Sequence, residues 1–187
     1  MFRELLEQIG LGLDALGIPY MVIGGQAVLL YGEPRLTRDI DVTVGAGPDR
    51  LADLLRWAGQ RNWRILSENP PDFVQKTLVL PCLEPTGGVR IDFVFGVSAY
   101  EQQAIERARR ELMGRAQVCF ASVEDVLIHK IVAGRPRDLE DARSILAKQR
   151  TIDTDYVRHW LRQFEDSLDE KFCERFEAVW NAAGGAK

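Results

Sequence analysis

Residues 35–44 read Arg35-Leu36-Thr37-Arg38-Asp39-Ile40-Asp41-Val42-Thr43-Val44, which places two aspartates inside an apolar, β-branched segment typical of a strand. Alternate side chains of a strand point to opposite faces, so Asp39 and Asp41 share one face while the apolar residues share the other. Two unit charges about 4 Å apart repel by about 1 kcal/mol in water and by about 4 kcal/mol at an effective dielectric constant of 20. A cation that neutralises both carboxylates removes this repulsion, so the pattern indicates a metal site.

A third aspartate lies in a later predicted strand, residues 89–95. The apolar face of that strand carries Val89, Ile91, Phe93 and Phe95. The opposite face carries Asp92, because side chains alternate along a strand. Asp92 therefore joins Asp39 and Asp41 as a candidate site residue.

Two adjacent glycines, Gly24 and Gly25, lie between a predicted strand and a predicted helix. Backbone amides are free at the start of a helix, and glycine lets the main chain approach a phosphate closely. Glycines also close ordinary strand–helix turns, so the pair alone does not decide between these roles. Fourteen positions separate Gly25 from Asp39, which is enough for one short helix and a return strand.

Strand-type segments concentrate before residue 121, and helical periodicity dominates after it. We therefore expect an α+β protein with a β-sheet flanked by helices in residues 1–121 and a helical C-terminal region, residues 122–187, packed on that core. The predicted strands are 20–23, 39–44, 63–66, 75–80, 89–95 and 117–120. The predicted helices include 100–113, 123–133, 138–148 and two amphipathic tail helices.

The composition of the chain disfavours several classes of protein. The net charge of −4 disfavours broad nonspecific binding of nucleic acid but leaves a local basic groove open. No segment approaches the roughly 20 apolar residues that a membrane span needs. Acidic residues among the first seven are unlike a secretory signal, so we expect a cytoplasmic protein that does not enter a membrane.

Taken together, these motifs resemble one enzyme superfamily. The glycine pair, the short helix, Asp39-x-Asp41 on one strand and Asp92 on another are similar to nucleotidyltransferases with the DNA polymerase β fold. The phrase from Gly24 to Val42 is similar to bacterial minimal nucleotidyltransferases, which include AbiEii-type toxin relatives and small antibiotic nucleotidyltransferases. The block Lys130-Ile131-Val132-Ala133-Gly134-Arg135-Pro136-Arg137-Asp138-Leu139-Glu140-Asp141 resembles the lysine and Arg-x-x-Asp block of the AbiEii group. The resemblance covers residues 20–146.

The resemblance implies a role for each aspartate. Asp39 and Asp41 are expected to ligate a divalent metal, Mg²⁺ or Mn²⁺, on the nucleotide phosphates. Asp92 is expected to be the third ligand or the general base that accepts the proton of the attacking hydroxyl. Magnesium prefers oxygen ligands and is commonly held by one or two carboxylates plus substrate phosphates, which agrees with these roles.

Basic residues are the remaining candidates for nucleotide binding. We expect Lys130 and Arg38 to bind phosphate together with Gly24 and Gly25, and Arg35, Arg135 and Arg137 to add positive charge. The alternative is that the arginines pair with Asp138, Glu140 and Asp141 on the surface, where ion pairs contribute about 0–1 kcal/mol. Asp138 and Asp141 are expected to hold the basic block in place and not to bind metal.

The resemblance implies a metal-dependent enzyme that moves a nucleoside monophosphate from an NTP to an acceptor hydroxyl and releases pyrophosphate. The acceptor stays open among a small molecule, a tRNA 3′ end and a protein side chain. Two alternatives stay open as well. In the first, the chain is the toxin half of a two-component system, with an antitoxin partner. In the second, it is a relative that binds nucleotide without transferring it. Three retained aspartates argue against the last alternative.

Overall fold

The computed structural model describes residues 1–184. Its strands are β1 (Tyr20–Ile23), β2 (Asp39–Val44), β3 (Arg64–Ile65), β4 (Val79–Glu84), β5 (Val89–Phe95), β6 (Arg109–Met113) and β7 (Ala116–Phe120). Its helices are α1 (Phe2–Ala15), α2 (Gly24–Tyr31), α3 (Leu51–Gln60), α4 (Pro70–Thr77), α5 (Ala99–Glu106), α6 (Val123–Ala133), α7 (Pro136–Lys148), α8 (Thr154–Leu168) and α9 (Phe172–Ala182). These elements confirm the predicted α+β class.

The strands form one mixed sheet in the order β3-β4-β5-β2-β1-β7-β6. The β2–β5 and β1–β7 pairs are parallel, and the other neighbours are antiparallel. Because β2 lies between β1 and β5, the strand that carries Asp39 and Asp41 is central, and the strand that carries Asp92 is its direct neighbour.

The chain divides into two compact units. The first contains residues 1–26 and 37–121 and includes the whole sheet. Its apolar core includes the fully buried side chains of Ile9, Leu13, Met21, Ile40, Leu54, Leu80, Ile91, Phe93, Phe95 and Phe120. Trp57 packs edge-on against Trp63, with ring centroids 5.0 Å apart. The sheet is thus held by apolar packing while polar positions of the same strands remain available for chemistry.

The second unit contains residues 27–36 and, within the part of the chain that the structure describes, residues 122–184; its secondary structure there is helical. Ser122 caps α6 by accepting a hydrogen bond from the Asp125 backbone amide at 3.2 Å. Gly134 ends the helix in the left-handed conformation, at φ +62°. Apolar side chains from successive helices, including Leu127, Ile145, Val157, Leu161 and Phe176, are fully buried. Within residues 1–184, no helix combines the length and apolar character needed to cross a membrane.

Two predicted elements were wrong. The strand predicted over 75–80 is divided between the end of α4 and the start of β4. Asn69 caps α4 by accepting a hydrogen bond from the Asp72 amide, and two prolines supply the first turn, so a helix begins here. Leu78 then ends it in a left-handed conformation, at φ 55°.

The helix predicted over 100–113 ends at Glu106, and the remainder forms β6. A tight turn that contains Gly114, at φ +64°, returns the chain so that Met113 pairs with Ala116 in β7. The helical prediction failed because short segments rich in charged residues fit both the helical period of about 3.6 residues and the strand period of about 2. Pairing with β7 decides between the two structures.

Candidate active site

The centre of the candidate site is a register pair in the parallel β2–β5 ladder, in which Asp41 lies directly beside Asp92. Neighbouring strands are about 4.8 Å apart, and partners in a parallel register project to the same face. The opposite face is apolar, since Ile40 and Ile91, which are the preceding register pair, are both fully buried. Two carboxylates therefore share one face of the sheet across adjacent strands.

Asp39 lies one pleat earlier on the same face of β2, and its register partner on β5 is Arg90. Asp39 is exposed, and its carboxylate accepts a hydrogen bond from Thr37 Oγ1 at 3.0 Å. The third aspartate therefore stands at the solvent side of the pair formed by Asp41 and Asp92. Arg38, which we expected to bind nucleotide, is exposed directly before it.

Glycine is required at position 24 because the backbone there lies against the Asp41 carboxylate. Its φ is +62°, and a Cβ at this position would overlap Asp41 Oδ2 and lie 2.9 Å from Cγ. Only glycine combines this backbone conformation with so close an approach. The first residue of α2 thus contacts the Asp41 side chain, and the next residue, Gly25, is buried.

Gln26 follows the glycine pair and was not expected at the site. It is 5% exposed, and its side-chain Nε2 has no hydrogen-bond partner within residues 1–184. A buried amide that lacks a partner is uncommon, so this donor is a polar feature of the segment that begins α2. Its position immediately after the glycines was the available sequence signal.

Arg90 is the basic residue of the site that sequence reasoning missed. Its Nε donates to both oxygens of Asp92, at 2.9 Å and 3.0 Å. The side chain of Arg90 is 54% exposed and that of Asp92 is 18% exposed. The signal was present in the sequence, because Arg90 stands two residues before Asp92 and so shares its face of the strand.

All three carboxylates of the candidate site act on the pKa of Arg90. The hydrogen bond to Asp92 is the largest cause of a raised pKa of Arg90, while burial opposes the change. The negative charges of Asp92, Asp39 and Asp41 then raise the pKa of the guanidinium further. Arg90 thus places a positive charge beside the carboxylates of the candidate site.

The donor set matches a hard divalent cation in its chemistry, because carboxylate oxygens are the ligands that Mg²⁺ prefers. Over residues 1–184, however, no three His, Cys, Asp or Glu side chains are arranged so that they could hold a metal ion. In this structure Arg90 donates to both oxygens of Asp92, and Thr37 donates to an oxygen of Asp39. The register pair supplies two carboxylates, and Asp39 adds a third at the next register position on the same face.

The helical unit contains a separate ionic network around Lys130. Its ammonium contacts Asp138 Oδ1 at 2.8 Å and Asp141 Oδ2 at 2.9 Å, and Lys130 is 6% exposed. Arg35 adds a two-point contact with Asp141, at 2.7 Å and 2.9 Å, and Arg135 contacts Asp138 at 2.6 Å. The expectation that the two aspartates hold the basic block is confirmed. A role for Lys130 in nucleotide binding stays a prediction.

The known proteins that the chain resembles are nucleotidyltransferases. The model of the family described as "Nucleotidyl transferase AbiEii toxin, Type IV TA system" matches residues 5–179. No curated protein matches the sequence significantly.

Solved structures show the same fold at low sequence identity. The antibiotic-resistance factor ANT(2'')-Ia is 17% identical, with a TM-score of 0.62 over 89% of this chain and 94% of that one. An antigenic nucleotidyltransferase-like protein from Paracoccidioides brasiliensis is 18% identical, with a TM-score of 0.60 over 99% and 92%. A putative nucleotidyltransferase from Thermotoga maritima is 14% identical, with a TM-score of 0.52 over 79% and 94%.

Proposed function

This chain belongs to the AbiEii nucleotidyl transferase family, and from that premise we propose that it transfers a nucleoside monophosphate from an NTP to an acceptor hydroxyl. In this reaction the acceptor oxygen bonds to the α-phosphorus, the bond from that phosphorus to the bridging oxygen breaks, and pyrophosphate leaves. The single observation that carries the proposal is the register pair of Asp41 and Asp92 on one polar face of the sheet.

The proposed roles follow from position. Asp41 and Asp39 ligate a divalent cation, Mg²⁺ or Mn²⁺, and Asp92 is either the third ligand or the base that accepts the acceptor's hydroxyl proton. When bound, such an ion supplies positive charge that offsets the charge of the triphosphate and aligns the reacting groups. Gly24 and Gly25 leave backbone amides near the seated Asp41 carboxylate, where they can donate to phosphate oxygens.

The acceptor is proposed to be a small molecule, a tRNA 3′ end or a protein side chain. A solved structure of ANT(2'')-Ia is a complex with adenylyl-2''-tobramycin, which makes a hydroxylated small molecule a natural first acceptor to test. A net charge of −4 weakens the case for RNA, since proteins that bind RNA through its phosphates normally carry basic surfaces.

The test is incubation of the purified chain with each NTP labelled at the α-phosphate, Mg²⁺ and cell extract, followed by separation of RNA, protein and small metabolites. We expect label in one fraction, with one pyrophosphate released for each label transferred. Asp41→Asn should abolish both signals. Asp49→Asn is the matched control, because Asp49 is an exposed aspartate outside the site, and it should transfer at the wild-type rate. Nucleotide binding without pyrophosphate release would instead identify a non-catalytic binder.

A second candidate function is favoured by the family description, which names a toxin of a type IV toxin–antitoxin system. In that role the same transfer would arrest growth until an antitoxin partner counteracts it. Induced expression in a bacterial host tests this directly. Growth arrest that requires Asp41, and that a small protein encoded beside this gene relieves, would support the toxin role.

A further inference from the structure

We propose that Arg90 competes with the divalent cation for Asp92, holding that carboxylate when the ion is absent and releasing it when the ion binds. The inference rests on the proposed function, because it concerns the same carboxylates. In this role Arg90 is a positioning residue that sets the concentration of divalent ion at which the site is occupied.

The first argument is the contact itself. One guanidinium nitrogen, Arg90 Nε, lies 2.9 Å and 3.0 Å from the two oxygens of Asp92. Those oxygens are the atoms with which Asp92 would ligate a cation or accept a proton. A guanidinium and a divalent ion also repel each other at this range. The contact in the structure and ligation of a cation by Asp92 therefore oppose each other.

The second argument is the position of Arg90 among the carboxylates. Its register partner is Asp39, and its neighbour two positions along the strand is Asp92, so it stands between two of the three acidic groups. The charges of all three aspartates act on the guanidinium. Without a bound ion, the positive charge of Arg90 offsets part of their mutual repulsion.

The third argument is that Arg90 can leave. Its side chain is 54% exposed, and exposed ion pairs hold their partners only weakly. Asp92 is more enclosed, with 18% exposure, so the arginine moves and the carboxylate stays. A contact of this kind weakens ion binding without preventing it.

The chain offers a matched control on another strand. Arg109 also stands two residues before an acidic partner, and its guanidinium lies 3.9 Å from Glu111 on β6, at the edge of the sheet away from β5. Arg109 is 60% exposed, which is close to the value for Arg90. Arg109→Gln therefore removes the same charge from the same kind of pair at a position remote from β5 in the sheet.

The first experiment measures Mn²⁺ affinity without nucleotide, by electron paramagnetic resonance of the free ion at fixed ionic strength. We expect Arg90→Gln to lower the Kd for Mn²⁺ by about tenfold, since a positive charge next to the ion is removed. Arg109→Gln should remain within about twofold of wild type. An unchanged or raised Kd in Arg90→Gln would overturn the inference.

The second experiment observes the arginine directly by ¹⁵N NMR of side-chain Nε–H signals, with the Arg90 signal assigned from its loss in Arg90→Gln. Titration with Mg²⁺ should shift this signal as the bond to Asp92 breaks, and the Arg109 signal should stay in place. A saturating Mg²⁺ titration that leaves the Arg90 signal unmoved would overturn the inference.

The two proposals fail in different ways. If wild type binds Mn²⁺ in a manner that requires Asp41, but Arg90→Gln binds no more tightly, only the role of Arg90 is rejected. If neither wild type nor Arg90→Gln shows binding that Asp41→Asn removes, the metal site of the proposed function is rejected together with it.

Discussion

Gly24 and Asp41 are in direct contact through the carboxylate of Asp41, which occupies the space where any other residue at position 24 would place its Cβ. That Cβ would lie 2.9 Å from Cγ and 3.2 Å from Cβ of Asp41. The glycine also has a φ of +62°, a conformation that disfavours other residues. The turn and the carboxylate therefore depend on each other, and neither can change alone.

The first prediction concerns Gly24→Ala. The new methyl group forces the Asp41 side chain away from the turn and strains the backbone, so we expect the free energy of unfolding to fall by about 1–3 kcal/mol. Nucleotide transfer should fall by at least about 100-fold, because a displacement near 1 Å at a reacting centre has effects of that order. Urea unfolding and pyrophosphate release measure the two effects.

Gly59→Ala is the control for this substitution. Gly59 lies in α3, has open space where its Cβ would be placed and belongs to the same unit as Gly24. Alanine is the better helix former, so this variant should be neutral or more stable by up to about 1 kcal/mol, with unchanged transfer. A Gly24→Ala variant that behaves like Gly59→Ala would show that the contact with Asp41 is unimportant.

The sequence predicted the parts of the fold that depend on local patterns. Alternation of apolar residues located β2 and β5, and the helix predicted over 123–133 has the same bounds as α6. Sequence patterns failed for β6 and α4, where a tertiary pairing and a proline-initiated turn decide the outcome.

Like the fold, the candidate site was predictable from the sequence only where it depends on local patterns. The spacing of Asp39 and Asp41 placed them on one face, but the register that brings Asp41 beside Asp92 is a property of strand pairing. Arg90 shares a strand face with Asp92 by alternation, but its position beside Asp39 also depends on strand pairing. The position of Gln26 after the glycines can be read from the sequence, but the burial that leaves its Nε2 without a hydrogen-bond partner within residues 1–184 depends on tertiary packing.

The second prediction concerns divalent ions and stability. An ion that binds only the folded state at about 100 times its Kd stabilises that state by about 2.7 kcal/mol. For a chain of this size we expect Mg²⁺ to raise the Tm by roughly 5 °C, and EDTA should reverse the change. Asp41→Asn should show no Mg²⁺ effect and, in EDTA, should melt at or above the wild-type Tm because carboxylate repulsion is relieved.

Differential scanning calorimetry with and without Mg²⁺ checks both statements. Asp49→Asn should follow wild type, since Asp49 is exposed and outside the site. A Mg²⁺-dependent rise in Tm that survives Asp41→Asn would locate the ion elsewhere in the chain.

The third prediction concerns Asp138 in the ionic network of the helical unit. Burial raises the pKa of Asp138, but hydrogen bonds from Arg135 and Lys130, and then their charges, outweigh it and hold the pKa below its ordinary value of 3.8. Asp138→Asn leaves Lys130 short of one partner in a buried setting. Leaving a buried charge uncompensated costs about 3–5 kcal/mol. Because Asp141 still contacts Lys130 at 2.9 Å, we expect a smaller loss of about 1–3 kcal/mol at about pH 7.

The direction of the pH dependence follows from the lowered pKa. A carboxyl group with a lower pKa in the folded state stabilises that state above its unfolded pKa, and the contribution disappears as the pH falls through the folded value. The difference between wild type and Asp138→Asn should therefore be complete at about pH 7 and should shrink below about pH 4. Urea unfolding at several pH values measures it, with Glu140→Gln as an exposed control on α7. A difference that stays constant down to about pH 2 would contradict the assigned ion pair.

The last prediction separates geometry from charge at Arg35. Its Nε and a terminal nitrogen donate to the two oxygens of Asp141, at 2.7 Å and 2.9 Å, which is the two-point contact that a planar guanidinium allows. Lysine keeps the charge but offers a single ammonium, so Arg35→Lys should lower the free energy of unfolding by about 1 kcal/mol. Arg137 instead donates one bond to the Leu36 carbonyl, at 2.9 Å, which a lysine can replace. Arg137→Lys should therefore stay within about 0.5 kcal/mol of wild type, and equal losses in the two variants would show that Arg35 acts by charge alone.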